Sequence, residues 1–175
     1  MTQQATQIDA SRTAVLIMDF QQRIIANVAS EPAAVVENAA RALSGARSAG
    51  IPVIYVVHRG GPFADYAPDI ELHPGVTPAE GELVITKVRP GPFSTTALDV
   101  TLRDMGRDTL VIMGVATSGC VLSGVRWAVD VNYSFIVLSD ACSDGDAEVH
   151  RVLTEKVYPR QGQVMSVDDF LQALP

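Results

Sequence analysis

Residues 109–121 read TLVIMGVATSGCV and carry more structural information than any other stretch of the chain. An apolar run of strand length leads through Gly114 to Cys120, and a helix is predicted over residues 121–131. The thiol then lies at the first turn of this helix, where unpartnered N–H groups and the positive end of the helix dipole favour a thiolate. We therefore predict that Cys120 is a nucleophile.

Five further apolar runs of strand length alternate with amphipathic stretches along the chain. This alternation is typical of repeated βα units around a mainly parallel sheet. Several runs are continuous β-branched segments, as expected for strands that helices cover on both faces. We predict an α/β fold, a three-layer α/β/α sandwich with a mainly parallel six-stranded sheet. The predicted strands are residues 14–18, 53–57, 82–86, 109–113, 134–138 and 163–167.

Local signals also predict where three other helices begin. The first is predicted to begin at Ser30 with Glu31 and Pro32 and to end before Gly50. The second begins at Ser94 or Thr95 and ends at Gly106. The third begins at a capping box of Ser143 with Asp146. Residues 58–81 hold repeated Gly and Pro where a crossover helix is expected, and we interpret them as a lid or a contact between subunits.

Length and composition limit the class of protein. A chain of 175 residues fits one domain, residues 1–175, that buries enough surface to need no disulfide or metal. Apolar residues make up 47% of the chain, yet no uninterrupted apolar run reaches the roughly 18 residues of a membrane span. The N-terminus lacks a secretory pattern and the two cysteines form no disulfide framework, which predicts a cytoplasmic protein. A net charge of −7 without a Lys/Arg cluster argues against a nucleic-acid partner.

Three chemically active side chains follow predicted strands. Ligands bind open α/β sheets at the carboxyl ends of the strands. Asp19 ends the first strand, Lys87 ends the third, and Cys120 follows the fourth, which predicts a nucleophilic site without a histidine. Each has a structural alternative: Cys120 could be a small buried apolar residue, Asp19 could cap a turn, and Lys87 could be a surface charge. We interpret Cys142 as structural, because SDACSDG lacks a comparable strand, turn and helix start.

Three motifs together resemble the isochorismatase-like cysteine hydrolases, a family that includes nicotinamidases, N-carbamoylsarcosine amidohydrolases and ureidoacrylate amidohydrolases. The motifs are AVLIMDFQ around Asp19, ITKVRPGPF around Lys87 and VIMGVATSGCV around Cys120, and LSDACSD follows them. The resemblance spans nearly the whole chain. It implies that these three residues form a catalytic triad and that the peptide bond between Val115 and Ala116 is cis.

The resemblance implies hydrolysis of a carbon–nitrogen bond in a small amide or carbamoyl compound, through a thioester on Cys120. Lys87 and the helix start are expected to lower the thiol pKa from about 8.5 toward 7 or below. Asp19 would accept the thiol proton, and the N–H groups of Ala116 and Cys120 would form the oxyanion hole. The expected partners are a small-molecule amide substrate and further copies of the chain in a dimer or tetramer, with no cofactor and no membrane.

The metal site of nicotinamidases is not expected here. Aligning His58 with their metal-binding histidine places Val56 where an aspartate is required, and we interpret His73 and His150 as structural. Ser118 precedes the nucleophile by two positions, and TSGCV is nearer to the carbamoylsarcosine type. The residues predicted to bind substrate from the rim or lid of the pocket are Gln21, Phe63, Arg89 and Phe93.

Three other functions are compatible with parts of the sequence. A nucleotide or flavin binding module would share the doubly wound sheet, but GVATSGC contains neither GxGxxG nor the lysine of a P-loop. A vinyl ether hydrolase would use Asp19 as the acid without a covalent step, and the presence of Cys120 argues against it. The third is a catalytically silent oligomeric scaffold.

Overall fold

A six-stranded parallel sheet organises the chain. The described residues of this computed structural model are 7–61, 65 and 71–175. The strands are β1 (Thr13–Met18), β2 (Val53–His58), β3 (Leu83–Lys87), β4 (Thr109–Val115), β5 (Ser134–Ser143) and β6 (Gln163–Met165). They lie side by side in the order β3-β2-β1-β4-β5-β6, and each neighbouring pair is parallel. The predicted α/β fold with a six-stranded sheet is confirmed.

β1 lies in the middle of the sheet, and all of its residues are buried. Because successive side chains of a strand point to opposite faces, full burial requires cover on both faces. The register pairs Met18 of β1 with Gly114 of β4, and His58 of β2 with Lys87 of β3. These pairings bring the carboxyl ends of four strands to one edge of the sheet, directly beside Asp19.

The described ranges contain six α-helices. They are α1 (Gln22–Val28), α2 (Pro32–Ser48), α3 (Leu98–Asp104), α4 (Leu122–Asp130), α5 (Ala147–Val152) and α6 (Val167–Ala173). α2 packs against β1, β2, β5 and α6, whereas α4 packs against β5. Single π-helical turns at Thr117–Val121 and Leu153–Val157 precede α4 and follow α5. No described helix combines the length and the apolar character that crossing a bilayer requires.

The cap of α5 differs from the predicted box of Ser143 with Asp146. Ser143 belongs to β5, which runs to position 143 rather than 138. Its hydroxyl accepts a hydrogen bond from the N–H of Ser30 at 3.0 Å, and Ser143 is not the residue that caps α5. Asp146 is itself the cap, because its carboxylate accepts from the N–H groups of Glu148 and Val149.

Other element ends also depart from the prediction. The N–H of Leu98 in α3 donates to Thr96 Oγ1 at 3.2 Å, so the hydroxyl at this helix start is neither Ser94 nor Thr95. β6 ends before Ser166, whose side chain caps α6 in a capping box. Neither α1 nor α6 is predicted by the sequence analysis, since each has seven residues and little periodicity to detect.

Residues 58–81 contain no α-helix in their described part. A short 3-10 turn at Pro74–Val76 packs against α2 instead. Residues 62–64 and 66–70 lie outside the described residues, and the predicted substrate contact Phe63 is among them. The interpretation of this segment as a lid or subunit contact stays a prediction.

Candidate active site

Asp19 lies directly after β1 in a backbone conformation that is uncommon for a residue with a side chain. Its φ angle is 59°, in the left-handed region. The N–H of Asp19 donates to Val56 O at 2.8 Å, which continues the contact of β1 with β2 past the end of the strand. Such conformations cluster at functional sites because the surrounding structure must hold them in place.

A buried ion pair joins Asp19 to Lys87 at the end of β3. Lys87 Nζ lies 2.8 Å from Asp19 Oδ2 and also donates to Arg89 O at 3.2 Å. Lys87 is 1% exposed and Asp19 is 7% exposed. Asp19 Oδ1 is buried and has no hydrogen-bond partner among the described residues. The ammonium of Lys87 therefore holds only one of the two carboxylate oxygens.

Cys120 lies in the π-helical turn between β4 and α4 and is 2% exposed. Its Sγ lies 3.6 Å from Ala116 O and 4.0 Å from Met18 O. A Cβ at Gly114 would stand 3.0 Å from Sγ, so the glycine makes room for the thiol. The peptide bond between Val115 and Ala116, directly before the turn, is cis.

The electrostatics of the thiol contradict one expectation. Burial raises the pKa of Cys120 well above its ordinary value of 9.0, and the charge of Asp19 raises it further. Lys87 lowers this pKa, but the opposing effects are larger. The expected decrease toward 7 or below is wrong, because the thiol is desolvated and its nearest carboxylate disfavours a second negative charge.

The same burial affects Asp19. Desolvation raises the pKa of its carboxyl above the ordinary value of 3.8, and Lys87 opposes this increase through its charge and its hydrogen bond. A carboxylate with a raised pKa is a stronger base. The raised pKa of Asp19 favours transfer of a proton to its carboxylate, whereas the raised pKa of Cys120 opposes release of the thiol proton.

A cavity of about 410 Å³ opens beside these side chains. Its wall includes Asp19, Lys87 and Cys120 together with apolar residues of α1. Ile24 and Val28 are these α1 residues. They are not predicted as cavity residues, because α1 itself is not predicted from the sequence. The structure thus brings the three predicted catalytic residues to one mainly apolar cavity of the size that holds a small molecule.

Side chains from the segment after β5 form hydrogen bonds with the turn that carries Cys120. The N–H of Ser118 donates to Asp144 Oδ2 at 2.7 Å, and the hydroxyl of Tyr158 donates to Thr117 O at 2.7 Å. His150 Nδ1 lies 2.8 Å from Thr117 Oγ1. Neither Asp144 nor Tyr158 is predicted from the sequence to be a functional residue. The available signal was the position of Asp144, which directly follows β5 at the same edge of the sheet.

Two predicted substrate contacts lie beside a neighbouring cavity. Arg89 and Phe93 line a space of about 450 Å³ together with Trp127, and they are not part of the wall around Cys120. Phe93 stacks on Trp127 with 6.1 Å between ring centroids. Their predicted role in substrate binding stays a prediction.

Gln21 contacts the backbone of His58 rather than the cavity that holds Cys120. Its Nε2 donates to His58 O at 3.0 Å, and its Oε1 accepts from the N–H of His58 at 2.7 Å. Gln21 is 1% exposed. These bonds connect the end of β2 to the segment that follows β1.

The three histidines have separate surroundings. His58 Nε2 lies 3.0 Å from Gly60 O, His73 Nδ1 accepts from the N–H of Gly75 at 3.1 Å, and His150 contacts Thr117. Within the described residues, no three His, Cys, Asp or Glu side chains are grouped so that they could hold a metal ion.

Comparisons with known proteins identify the family of the chain. Residues 13–169 match the Isochorismatase domain family. The uncharacterized isochorismatase family protein YecD of Escherichia coli O157:H7 is 31% identical, over 96% of this chain and 99% of its own length. Ureidoacrylate amidohydrolase RutB of Methylobacterium radiotolerans is 33% identical, over 80% of this chain and 67% of its own length. An isochorismatase family protein of Burkholderia thailandensis has a TM-score of 0.86 at 26% identity, covering 98% of this chain and 99% of its own. The chain therefore belongs to the isochorismatase family of hydrolases.

Proposed function

We propose that this protein is a cysteine-dependent hydrolase that cleaves a carbon–nitrogen bond of a small amide or carbamoyl compound. The observation that carries the proposal is the meeting of Asp19, Lys87 and Cys120 at one cavity. The similarity to ureidoacrylate amidohydrolase RutB supports an amide as the substrate class.

Asp19 is the general base and later the general acid of the proposed reaction. Its Oδ2 is bound to Lys87, and its buried Oδ1 lacks a hydrogen-bond partner among the described residues. The thiol proton of Cys120 moves to this carboxylate as the sulfur attacks the carbonyl carbon of the substrate. Lys87 keeps Asp19 ionised until that step, because its positive charge lowers the pKa of the carboxyl.

The attack forms a carbon–sulfur bond and moves the carbonyl electron pair onto oxygen. Ala116 and Cys120 both line the cavity, and their backbone N–H groups are the proposed donors to this oxyanion. One such donor is typically worth about 3 kcal/mol in the transition state. When the tetrahedral intermediate collapses, the carbon–nitrogen bond breaks and the leaving amine takes the proton from Asp19.

Water completes the proposed cycle. Asp19, ionised again, removes a proton from a water molecule that attacks the thioester carbonyl carbon. The carbon–sulfur bond breaks, the acid product leaves, and the sulfur of Cys120 recovers its proton. The thiol and the ion pair of Asp19 with Lys87 are then as they were at the start.

A panel of small amides and carbamoyl compounds tests the proposal. The wild-type protein should release ammonia or amine from at least one member, and mass spectrometry of the intact protein should detect an acyl adduct on Cys120. Cys120→Ala and Asp19→Asn should each lower the rate by roughly 10³-fold or more. When catalytic residues act as one unit, removal of one member disables the whole unit. Cys142→Ala is the matched control and should keep the activity.

Retained hydrolysis in Cys120→Ala would overturn the covalent mechanism. Loss of activity in Asp19→Asn alone, with turnover of a vinyl ether rather than an amide, would instead support the acid-catalysed alternative. A wild-type protein whose thiol at position 120 accepts no acyl group from any reagent would overturn the proposal as a whole.

A further inference from the structure

We propose that Asp144 and Tyr158 are positioning residues that hold the oxyanion-binding N–H groups of Ala116 and Cys120 in place during acylation. The inference rests on the proposed function. It concerns residues outside the group of Asp19, Lys87 and Cys120, on elements that follow β5 in the chain.

Asp144 and Tyr158 hold the two polar atoms of a single peptide group. The carbonyl of Thr117 and the N–H of Ser118 belong to the peptide bond between these residues. Tyr158 donates to the carbonyl at 2.7 Å, and Asp144 Oδ2 accepts from the N–H at 2.7 Å. The carbonyl and the N–H point in opposite directions from one planar peptide group. This group therefore cannot rotate without breaking at least one of the two hydrogen bonds.

Both side chains that hold this peptide group are buried. Asp144 is 7% exposed and Tyr158 is 0% exposed. The contacts of the Asp144 carboxylate are with backbone N–H groups, those of Ser118 at 2.7 Å and Asp146 at 3.3 Å. Burying a carboxylate is costly unless its oxygens accept hydrogen bonds, and bonds of an ionised acceptor are the strong ones. A buried charge is thus used to fix the backbone of this turn.

The held peptide group lies next to the proposed oxyanion donors. Thr117 directly follows Ala116, and Ser118 precedes Cys120 by two positions. Ala116 O accepts from the N–H of Gly119 at 3.1 Å, which closes the turn on itself. A rotation of the peptide group between Thr117 and Ser118 would therefore distort the turn that joins Ala116 to Cys120 and change the spacing of the two donors. Transition-state stabilisation by such donors depends steeply on their placement.

Two reagents separate this role from simple structural support. Acylation of Cys120 by p-nitrophenyl acetate passes through an oxyanion as the carbon–sulfur bond forms and p-nitrophenolate leaves. Alkylation of the same sulfur by iodoacetamide displaces iodide and develops no oxyanion. A residue that positions the donors should affect the first rate and spare the second. A residue that merely supports the thiol or the fold should affect both.

Tyr158→Phe removes the donor to Thr117 O with little change in shape. Asp144→Leu removes the acceptor of the Ser118 N–H with a side chain of similar size, whereas Asn would keep an acceptor oxygen. We expect the acylation rate by p-nitrophenyl acetate to decrease roughly 10- to 100-fold in each. The alkylation rate by iodoacetamide should stay within about twofold of the wild-type rate. Tyr55→Phe is the matched control: Tyr55 is also 0% exposed, and its hydroxyl accepts from Arg47 at 3.1 Å instead. It should leave both rates unchanged.

Three results would overturn the inference. Unchanged acylation in both variants would show that the contacts do not matter for the donors. An equal decrease in acylation and alkylation would assign them to structural support. A decrease in the acylation rate of the same size in Tyr55→Phe would show that the loss of any buried hydroxyl lowers this rate. Failure of the wild-type Cys120 to accept an acyl group from p-nitrophenyl acetate and from every other acyl reagent would instead overturn the proposed function, and this inference with it.

Discussion

Gly114 and Cys120 lie so close that a Cβ at position 114 would stand 3.0 Å from the Cys120 sulfur. The same Cβ would stand 3.0 Å from Val121 Cγ2 and 3.2 Å from Met18 O. Real Cβ atoms rarely approach other atoms this closely in a packed interior. Glycine is therefore needed at position 114 because a side chain there would crowd the Cys120 sulfur, and not because of the backbone conformation of the residue.

Gly114→Ala is expected to displace the sulfur by a few tenths of an ångström. It should lower the rate of Cys120 acylation by roughly 10-fold, since a misplacement of about 1 Å can cost about 100-fold. The measurement is the burst of p-nitrophenolate from p-nitrophenyl acetate. Gly145→Ala is the matched control, because its Cβ would meet Val28 O at an ordinary distance of 3.6 Å. A Gly114→Ala protein with the wild-type burst rate would contradict the steric account.

The dependence of acylation on pH should report the ionisation of Asp19. Only the ionised carboxylate can accept the thiol proton, so the rate falls as pH decreases through the pKa of Asp19. Burial raises this pKa above 3.8, and the charge of Lys87 lowers it. Lys87→Met removes the lowering effect, so the acid limb of the profile should move to higher pH.

This shift is measured as the acylation rate across the range from about pH 4 to about pH 9. Arg12→Met is the control, because Arg12 forms an exposed ion pair with Asp108 before β4. Its acid limb should coincide with that of the wild-type protein. An acid limb that moves to lower pH in Lys87→Met would refute the assignment of Lys87 as the group that keeps Asp19 ionised.

Strand pattern and strand-end chemistry were enough to predict the sheet and to select Asp19, Lys87 and Cys120 from a sequence alone. Both depend on local rules: apolar runs become buried strands, and polar residues after parallel strands meet at one edge. The contacts of Asp144 and Tyr158 depend on distances through space between segments about 26 and 41 residues apart, which no local pattern encodes.

The pKa of Cys120 shows a second limit of local reasoning. A helix start and a lysine predict a lowered thiol pKa, yet the depth of burial and the proximity of Asp19 decide the sign. Neither depth nor proximity can be obtained from the order of residues around Cys120. Gln21 is a similar case, because its burial against the His58 backbone follows from the pairing of β1 with β2.

Cys142 offers a test of which sulfur reacts. It is 5% exposed, and burial raises its pKa to about 12. Unlike Cys120, it does not line the wall of the cavity. Iodoacetamide should therefore label Cys120 in the native protein and leave Cys142 intact, as peptide mass spectrometry would show.

The labelling rate of Cys120 should increase with pH, because burial raises its pKa well above 9.0 and the neutral thiol predominates at neutral pH. Cys142→Ala should leave this rate unchanged, whereas Cys120→Ala should abolish labelling. Labelling of Cys142 in the native wild-type protein would contradict its assignment as a structural residue.

Gln21 should contribute to the stability of the fold through the backbone of His58. Gln21→Glu keeps the acceptor for the His58 N–H but replaces the donor to the His58 carbonyl with a carboxylate oxygen. The free energy of unfolding at neutral pH should decrease by about 1–3 kcal/mol, the cost of an unsatisfied buried polar group. Urea denaturation measures this loss.

As pH decreases and the carboxyl of Gln21→Glu is protonated, it can donate again, so the difference in the free energy of unfolding from the wild-type protein should shrink. Gln163→Glu makes the same change of charge at an exposed position and should cost little at any pH. An unchanged free energy of unfolding in Gln21→Glu, together with weaker substrate binding, would instead favour a direct contact between Gln21 and the substrate.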